Sequence, residues 1–331
     1  MIPQPAYDVA IAGAGLIGLS LALELHARGA SVAVFDTARP MRQTSIAAAG
    51  MLAADDPHNP AALHGLSTYS IALYPAFLDR IATLSGISVP FQTSTTIQHL
   101  DDGTTRLLAE NSIDPRQLGP AVLHAARQTG ITLHEDAHQV EIHELPNGIH
   151  VRPLHGPALL ARQLVHASGA WFQGPPAVVK PRKGQMLRVR LPSILALHEV
   201  HRSQTIYIVP RTQGPQAGTA LIGATDEDAG FDLSTHPADL DRLRTLAANL
   251  LPALAPTEDA PQVEAWAGLR PGTPDDLPLL GRLPHSARRW AATGHYRNGI
   301  LLAPATAAVL ADLLEGKLPA VDLRPFSTAR F

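Results

Sequence analysis

The sequence predicts an α/β fold in which a doubly wound, parallel-sheet domain is interrupted by a second, strand-rich domain. Three observations carry this. Residues 7–36, YDVAIAGAGLIGLSLALELHARGASVAVFD, hold an apolar run, a helical pattern, a stop at Gly29 and a second apolar run, the order of one βαβ unit. At Pro175 the texture changes from alternating strands and helices to proline-interrupted strands. Near the end, residues 290–316 return to a strand followed by a glycine-started helix. The first and last thirds therefore read as one domain.

Gly13, Gly15 and Gly18 form G-x-G-x-x-G between the first apolar run and a helix beginning near Leu16. The spacing suits a dinucleotide pyrophosphate: the first glycine allows the tight turn, the second admits the phosphates, and the third lets helix and strand pack closely. The helix aims its unpaired N–H groups and positive dipole end at the anion. Asp36 ends the second apolar run, where a carboxylate can accept from ribose hydroxyls. An acid there favours FAD or NAD over NADP.

The 331 residues are enough for two domains, and 45% hydrophobic with 17% charged residues is ordinary for an α/β protein. A net charge of −3 gives no reason to expect nucleic acid or a membrane surface as partner. There is no cysteine, which removes disulfides, Cys-ligated zinc or iron–sulfur, thiol catalysis and any cofactor tethered through sulfur. Residues 9–25 are apolar but short for a span, contain glycines and Glu24, and lack signal-peptide flanks; no other segment reads as a bilayer span. The expected location is cytoplasmic. Homo-oligomerisation is compatible with the sequence.

Along the chain, a small-residue loop follows Asp36, with a short helix expected over 45–52. Ser45 and the run Ala47, Ala48, Ala49, Gly50 suit either close approach to a flat cofactor or plain packing of a helix on the sheet. Residues 61–86 read as one or two helices and 89–100 as a strand. Asp114-Pro115 caps a helix over 116–128. Strands are expected at 132–133, 139–145, 150–154 and 162–167, the last ending in Ser168, Gly169, Ala170 and Trp171. Further strands follow at 185–190, 205–210 and 220–223, then a helix over 237–251. From Val263 the sequence reads as turn-rich, before a strand at 290–293 and a helix ending at Gly316.

Conventional acid–base hardware is sparse. HEVH at His198–His201 spaces its histidines three apart, one residue short of the metalloprotease pattern, and no metal site is expected. No G-x-S-x-G occurs. Arg270, set between Gly268 and Pro271 in WAGLRP, suits either a two-pronged grip on a carboxylate or a surface salt bridge. Gly294, His295, Tyr296, Arg297, Asn298 and Gly299 join a strand to a helix starting near Ile300. That helix N-terminus could stabilise negative charge on a ring edge, or the segment could be a plain turn.

Nine segments in this order span nearly the whole chain: GAGLIGLS (13–20), AAAGML (47–52), IDPRQL (113–118), ASGAW (167–171), KGQML (183–187), YIVPR (207–211), GAT (223–225), WAGLRPGTPD (266–275) and GHYRNGILLAP (294–304). The chain resembles the D-amino-acid-oxidase superfamily of FAD enzymes, and within it the glycine oxidases of thiamine biosynthesis, toward which AAAGML and GHYRNGILLAP lean. The resemblance implies a Rossmann-type FAD-binding domain (1–60, 112–174, 263–331) with an inserted antiparallel α+β substrate domain (61–111, 175–262). It implies non-covalent FAD, with Gly13, Gly15, Leu16, Ile17, Gly18 and Asp36 on the ADP half. Thr44, Ser45, Ala48, Ala49, Gly50 and Met51 would run along the pyrophosphate and isoalloxazine. The backbone of Val140 would meet the adenine, and Gly169, Trp171, Gly294, His295, Arg297, Asn298, Gly299, Ile300 and Leu301 would complete the cofactor site. Arg270 would bind the substrate carboxylate beside Tyr207, with Arg297 and His295 near substrate and flavin.

The implied reaction is oxidation of glycine or a small amino acid. The α-hydrogen leaves as hydride to flavin N5, the imine hydrolyses, and molecular oxygen reoxidises the flavin to give peroxide. Such chemistry needs orientation and electrostatics more than a general base. Two departures stand out: Asp226 replaces an apolar residue usual over the substrate, and residues 98–113 are shorter than in the family. A D-amino-acid or sarcosine-type oxidase or dehydrogenase is the alternative, and from another class, a flavin-binding protein without catalysis.

Overall fold

The computed structural model describes residues 6–154 and 157–331. The chain opens with β1 (Tyr7–Ala12), α1 (Leu16–Ala27) and β2 (Val32–Phe35), then a short α2 (Thr44–Ala47) and a long α3 (His64–Ser85). Short strands β3 (Phe91–Thr93), β4 (Thr96–His99), β5 (Thr105–Leu108) and β6 (Ser112–Ile113) lead to α4 (Pro115–Arg127). Next come β7 (Thr132–His134), β8 (Val140–Leu145), β9 (Gly148–Pro153) and β10 (Leu159–His166). The middle supplies β11 (Lys180–Arg190), β12 (Val200–Arg202), β13 (Tyr207–Arg211), β14 (Thr219–Gly223), α5 (Pro237–Leu250) and β15 (Gln262–Gly272). β16 (Leu279–Arg282), β17 (Arg289–Thr293) and α6 (Gly299–Leu314) close the fold.

The first sheet runs β16-β17-β10-β1-β2-β7, with the β8–β9 hairpin attached to β10. β17, β10, β1, β2 and β7 are parallel neighbours. The chain moves outward from β1 through β2 to β7, then returns to the other side of β1 with β10, so the strand order reverses at β1. In open α/β sheets that crevice takes the ligand. α1 is largely apolar because most of its residues are enclosed, packing with α4 and α6, while Glu24 near its end pairs with Arg28 and Arg80. Residues 296–314 are long and apolar enough to cross a membrane, which the sequence reading overlooked. They lie mostly buried, α6 packing against α1 and α3, so their hydropathy serves the core.

The second sheet runs β15-β11-β14-β13-β12-β4-β5 and is antiparallel except where β12 meets β4. Its one face buries Leu187, Ile208 and Ile222 against Leu240 and Leu243 of α5. The other faces the first domain, with Val200, Val209 and Leu221 packed on Ala49 and Met51.

Several expected elements differ. The stretch from Val263, expected as turns, is the long strand β15, because its glycines and proline lie in a ladder with β11 from Lys180↔Gly272 to Val189↔Gln262. Pro271 is tolerated because β15 is an edge strand. The strand expected over 89–100 is two: β3 pairs with β6, while β4 joins the second sheet. The helix expected over 45–52 is only α2, since Ala48 is already extended (φ −70°, ψ 155°).

The domain division shifts accordingly. β15 belongs to the second sheet, whereas α3 sits on the helical layer of the first, with Tyr74 Oη donating to Ile300 O (2.5 Å) and Ser70 Oγ to Leu301 O (2.6 Å). Residues 1–5 of the expected first domain lie outside the described residues.

Candidate functional site

A cleft of about 810 Å³ runs from the carboxyl ends of β1 and β2 to the inner face of the second sheet. That volume falls in the usual range for bound organic ligands, about 300–1,000 Å³. At one end, Gly13, Gly15, Leu16, Ile17, Asp36 and Val140 line it. Gly13 has φ 115°, and a Cβ there would stand 2.4 Å from Ala167 O. Gly18 does not line the cleft: a Cβ on it would lie 1.9 Å from Gly13 O, so it serves the close packing of α1 on the turn. Asp36 accepts from the N–H groups of Ala14 (2.8 Å) and Ala38 (3.0 Å), and burial pushes its carboxyl above the ordinary value. Each carboxylate oxygen retains a lone pair for a ribose hydroxyl.

The middle of the cleft is a strap formed by Thr44, Ser45, Ala48, Ala49, Gly50 and Met51, held between the domains. Ser45 Oγ accepts from Leu16 N (3.0 Å), capping α1, while Thr44 Oγ1 donates to Leu269 O (2.6 Å). From the second sheet, Trp266 Nε1 donates to Ala47 O (3.0 Å) and Arg211 Nη2 to Ala49 O (2.8 Å). Gly50 has φ 87°, and a Cβ there would meet Ile113 O at 1.9 Å. Gly50 is thus required by backbone proximity, and the small residues beside it keep the cleft floor free of bulk. Gly169 and Trp171 line the opposite wall.

The far end gathers Arg270, Tyr207, Met186, Tyr296 and Arg297. Arg270 Nη1 donates to Thr225 O (3.1 Å), and its guanidinium lies over Gly184, where a Cβ would stand 2.3 Å from Nη2. Tyr207 Oη donates to Met186 Sδ (3.0 Å) and passes close over Gly223. Burial pushes the Tyr207 phenol up, the charges of Arg270 and Arg297 partly opposing it, so it stays a neutral donor. Arg297 pairs with the buried Asp56 (3.6 Å) and Asn298 with Asn59 (2.9 Å).

Gly184→Ala is expected to displace the Arg270 guanidinium, because the clash falls on the end of a flexible side chain rather than on backbone. A carboxylate ligand should bind about tenfold or more weakly, in line with the loss of one charge-assisted contact, while flavin content and melting temperature stay near wild type. Ligand titration against a thermal melt checks this.

Three expected site residues fall elsewhere. Gly18, Gly294 and Leu301 do not line the cleft; Leu301 is core, and Gly294 (φ 74°) abuts Thr273. His295 does line it, with Asn298, Gly299 and Ile300, but its Nε2 pairs with Thr306 Oγ1 (3.0 Å) and burial pushes it down to about 3. It is therefore neutral at physiological pH and carries no proton for chemistry; its position supports the turn before α6. His166 is likewise pushed down by burial to about 4. Unfolded histidine binds a proton near 6.5, so below that pH the unfolded state gains protons that the folded state refuses. Stability should fall from about pH 6.5 downward by up to ~1.4 kcal/mol per pH unit for each histidine. His295→Asn should remove one proton from that slope in chemical unfolding measured against pH.

Gly184, Met186 and Asp56 line the site without having been singled out. KGQML contained the first two, while nothing near Asp56 marked it. Asp226, which would alter substrate choice if it faced the pocket, does not line the cleft and instead bonds Arg182 and Tyr296.

The glycine cradle, the acid at the end of β2 and the length of the cleft fit a dinucleotide cofactor. A family profile described as DAO, FAD dependent oxidoreductase, matches residues 8–112 and 107–313. The chain is 32% identical to the glycine oxidase of Geobacillus kaustophilus, covering 98% of this chain and 97% of that protein. That alignment runs over 373 positions, more than the 331 residues here, so the relative carries residues this chain lacks. It is 36% identical to the bifunctional protein ThiO/ThiG of Trichormus variabilis, over 98% of this chain and 55% of that protein. The crystal structure of the G. kaustophilus glycine oxidase superposes with a TM-score of 0.89 at 30% identity, covering 98% of this chain and 99% of that one. With the fold, the glycine-lined cleft and these likenesses in agreement, the chain belongs to the DAO family of FAD-dependent oxidoreductases.

Proposed function

We propose that this chain oxidises glycine or another small amino acid to its imine, with molecular oxygen as acceptor and hydrogen peroxide as product, and that the imine serves thiamine thiazole synthesis. The observation that carries this is Arg270, a guanidinium laid flat over Gly184 in the cleft wall beside the phenol of Tyr207. Both groups lie at the end of the cleft opposite the dinucleotide turn. A planar guanidinium there suits a carboxylate and fixes the attached amine in one orientation. Gly13, Gly15 and Asp36 would hold the ADP half of non-covalent FAD, and the small strap residues would lie along the rest. FAD, when bound, supplies the two-electron acceptor for the α-hydrogen and its reoxidation by oxygen.

The chain's own residues bind and orient. Neutral Tyr207 donates, Arg297 adds positive charge balanced by Asp56, and Met186 with the strap lines the cleft where they would shield the reacting carbon from water. Among the described residues, the carboxylate at that end of the cleft, Asp56, is committed to Arg297 and Arg202, which is consistent with hydride loss from an amine, where placement does most of the work. Orientation of the two reactants can contribute up to about 7–11 kcal/mol to such a step. The likeness to proteins named glycine oxidase supports glycine as the first substrate to try. In air, the FAD-loaded enzyme with glycine should release peroxide and ammonia in equal amounts. Peroxide absent with glycine, sarcosine and D-alanine alike would overturn the oxidase reading.

A further inference from the structure

Asp226 follows β14 and sits where three separate parts of the chain meet. Its Oδ1 lies 3.1 Å from Arg182 Nε and 3.8 Å from Arg270 Nη1, and its Oδ2 accepts from Tyr296 Oη at 2.6 Å. Arg182 and Arg270 are direct cross-strand partners in the β11–β15 ladder. Two guanidinium groups so placed repel, and a single carboxylate between them relieves that repulsion. Tyr296 comes from the turn before α6 and lines the cleft, so Asp226 also fastens the first domain to the second at the mouth of the site. Those partners keep Asp226 ionised: hydrogen bonds from Arg182 and Tyr296 outweigh its partial burial and hold its carboxyl below the ordinary value.

Resting on the reading of Arg270 as the carboxylate anchor, we infer that Asp226 is a specificity-determining, positioning residue: a built-in counter-carboxylate that limits the site to substrates with one carboxylate. Arg270 already gives Nη1 to Thr225 O and shares its charge with Asp226, so an incoming ligand meets a partly neutralised guanidinium. One carboxylate can still dock on the remaining N–H groups. A second carboxylate on the same ligand enters the field of Asp226, where the two positive charges of Arg182 and Arg270 would already be matched by Asp226 and the first carboxylate, while Arg297 is paired with Asp56. Like charges brought together in a semi-enclosed site discriminate strongly. The predicted substrate class is therefore a monocarboxylate amine with a neutral or cationic substituent, and dicarboxylates such as iminodiacetate are excluded by charge rather than by size.

The test uses the FAD-loaded protein and two unreactive probes, acetate and malonate, with binding read from the perturbation of the flavin spectrum. Asp226→Asn keeps the shape and one of the two acceptors but removes the charge; Asp226→Ser is the second variant. Tyr296→Phe breaks the clasp and keeps the charge. Both Asp226 variants should tighten malonate relative to acetate by about tenfold or more, the size expected for removing a nearby like charge. Tyr296→Phe should leave that ratio at the wild-type value. An unchanged ratio in the Asp226 variants, or an equal change in Tyr296→Phe, overturns the inference. Arg270→Ala separates the two levels: if it leaves acetate binding intact, the anchor reading itself fails, and the inference with it.

Discussion

Replacing Arg270 with alanine should lower kcat/KM for glycine by roughly a hundred- to a thousandfold and leave bound FAD unchanged. The magnitude follows from removing one partner of a desolvated, hydrogen-bonded charge pair, which costs about 2–5 kcal/mol, at about 1.4 kcal/mol per decade. The guanidinium is mostly shielded, its side chain 16% exposed, so water does not restore much of the loss. The fold should survive, because Arg270 lies on a strand held by the full β11–β15 ladder and its side chain bonds backbone carbonyls, the shared Asp226 and Tyr207, none of which joins core elements. Arg270→Lys should recover part of the affinity as a point charge but not the two-pronged grip. Steady-state kinetics together with the visible flavin spectrum separate loss of substrate binding from loss of cofactor.

Gly13→Ala should produce a chain that folds but purifies with little or no FAD. A Cβ at this position would lie 2.4 Å from Ala167 O and 2.7 Å from Ala167 C, both backbone atoms at the end of β10. No rotamer relieves that contact; the turn after β1 and the end of β10 must move apart. Those two strands pair directly, up to Ala12↔His166, so the displacement opens the floor on which the dinucleotide would rest. The φ of 115° adds strain for any residue with a Cβ. Gly29→Ala is the matching control. Gly29 also has a positive φ, 89°, but a Cβ there meets nothing within 4 Å. It should cost about 1 kcal/mol of stability and leave FAD content intact. Flavin absorbance per chain and the FAD-dependent rise in melting temperature measure both variants.

What was legible in the sequence was local. Gly13, Gly15 and Asp36 could be read because a turn, a helix start and a strand end are decided by neighbours a few residues away, and the structure places all three in the cleft. Arg270 could be read because Gly268 and Pro271 flank it. The same two residues misled on secondary structure: glycine and proline mark turns locally, while here an eleven-residue partner strand, β11, overrides them. Tertiary pairing of this kind leaves no trace in a short window. Gly184 escaped notice for a related reason. Its role exists only because the ladder sets Gly184 where the Arg270 side chain crosses, while Gly268 opposite it makes room for Ala47.

The histidine of GHYRNG shows the opposite error. The sequence sets it beside substrate and flavin; in the structure it lines the cleft, and its chemistry depends on near-complete burial and on Thr306, eleven residues further on in α6. Asp226 was visible as an unusual residue, whereas its partner Tyr296 lies seventy positions away on the other domain. Arg202 and Asp56 behave alike: two buried ions whose pairing (3.6 Å) links β12 to the loop before α3. Charge pairs that join domains are set by the fold, and single-chain patterns cannot announce them.

The most direct measurement is anaerobic reduction of the bound flavin. With oxygen removed, glycine added to the FAD-loaded protein should bleach the visible flavin absorbance, and Arg270→Ala should slow that bleaching at least a hundredfold at low substrate, in keeping with the loss of a buried charge pair. A protein that binds FAD fully yet stays oxidised with glycine, sarcosine and small D-amino acids would contradict the assignment of this cleft to amino-acid oxidation.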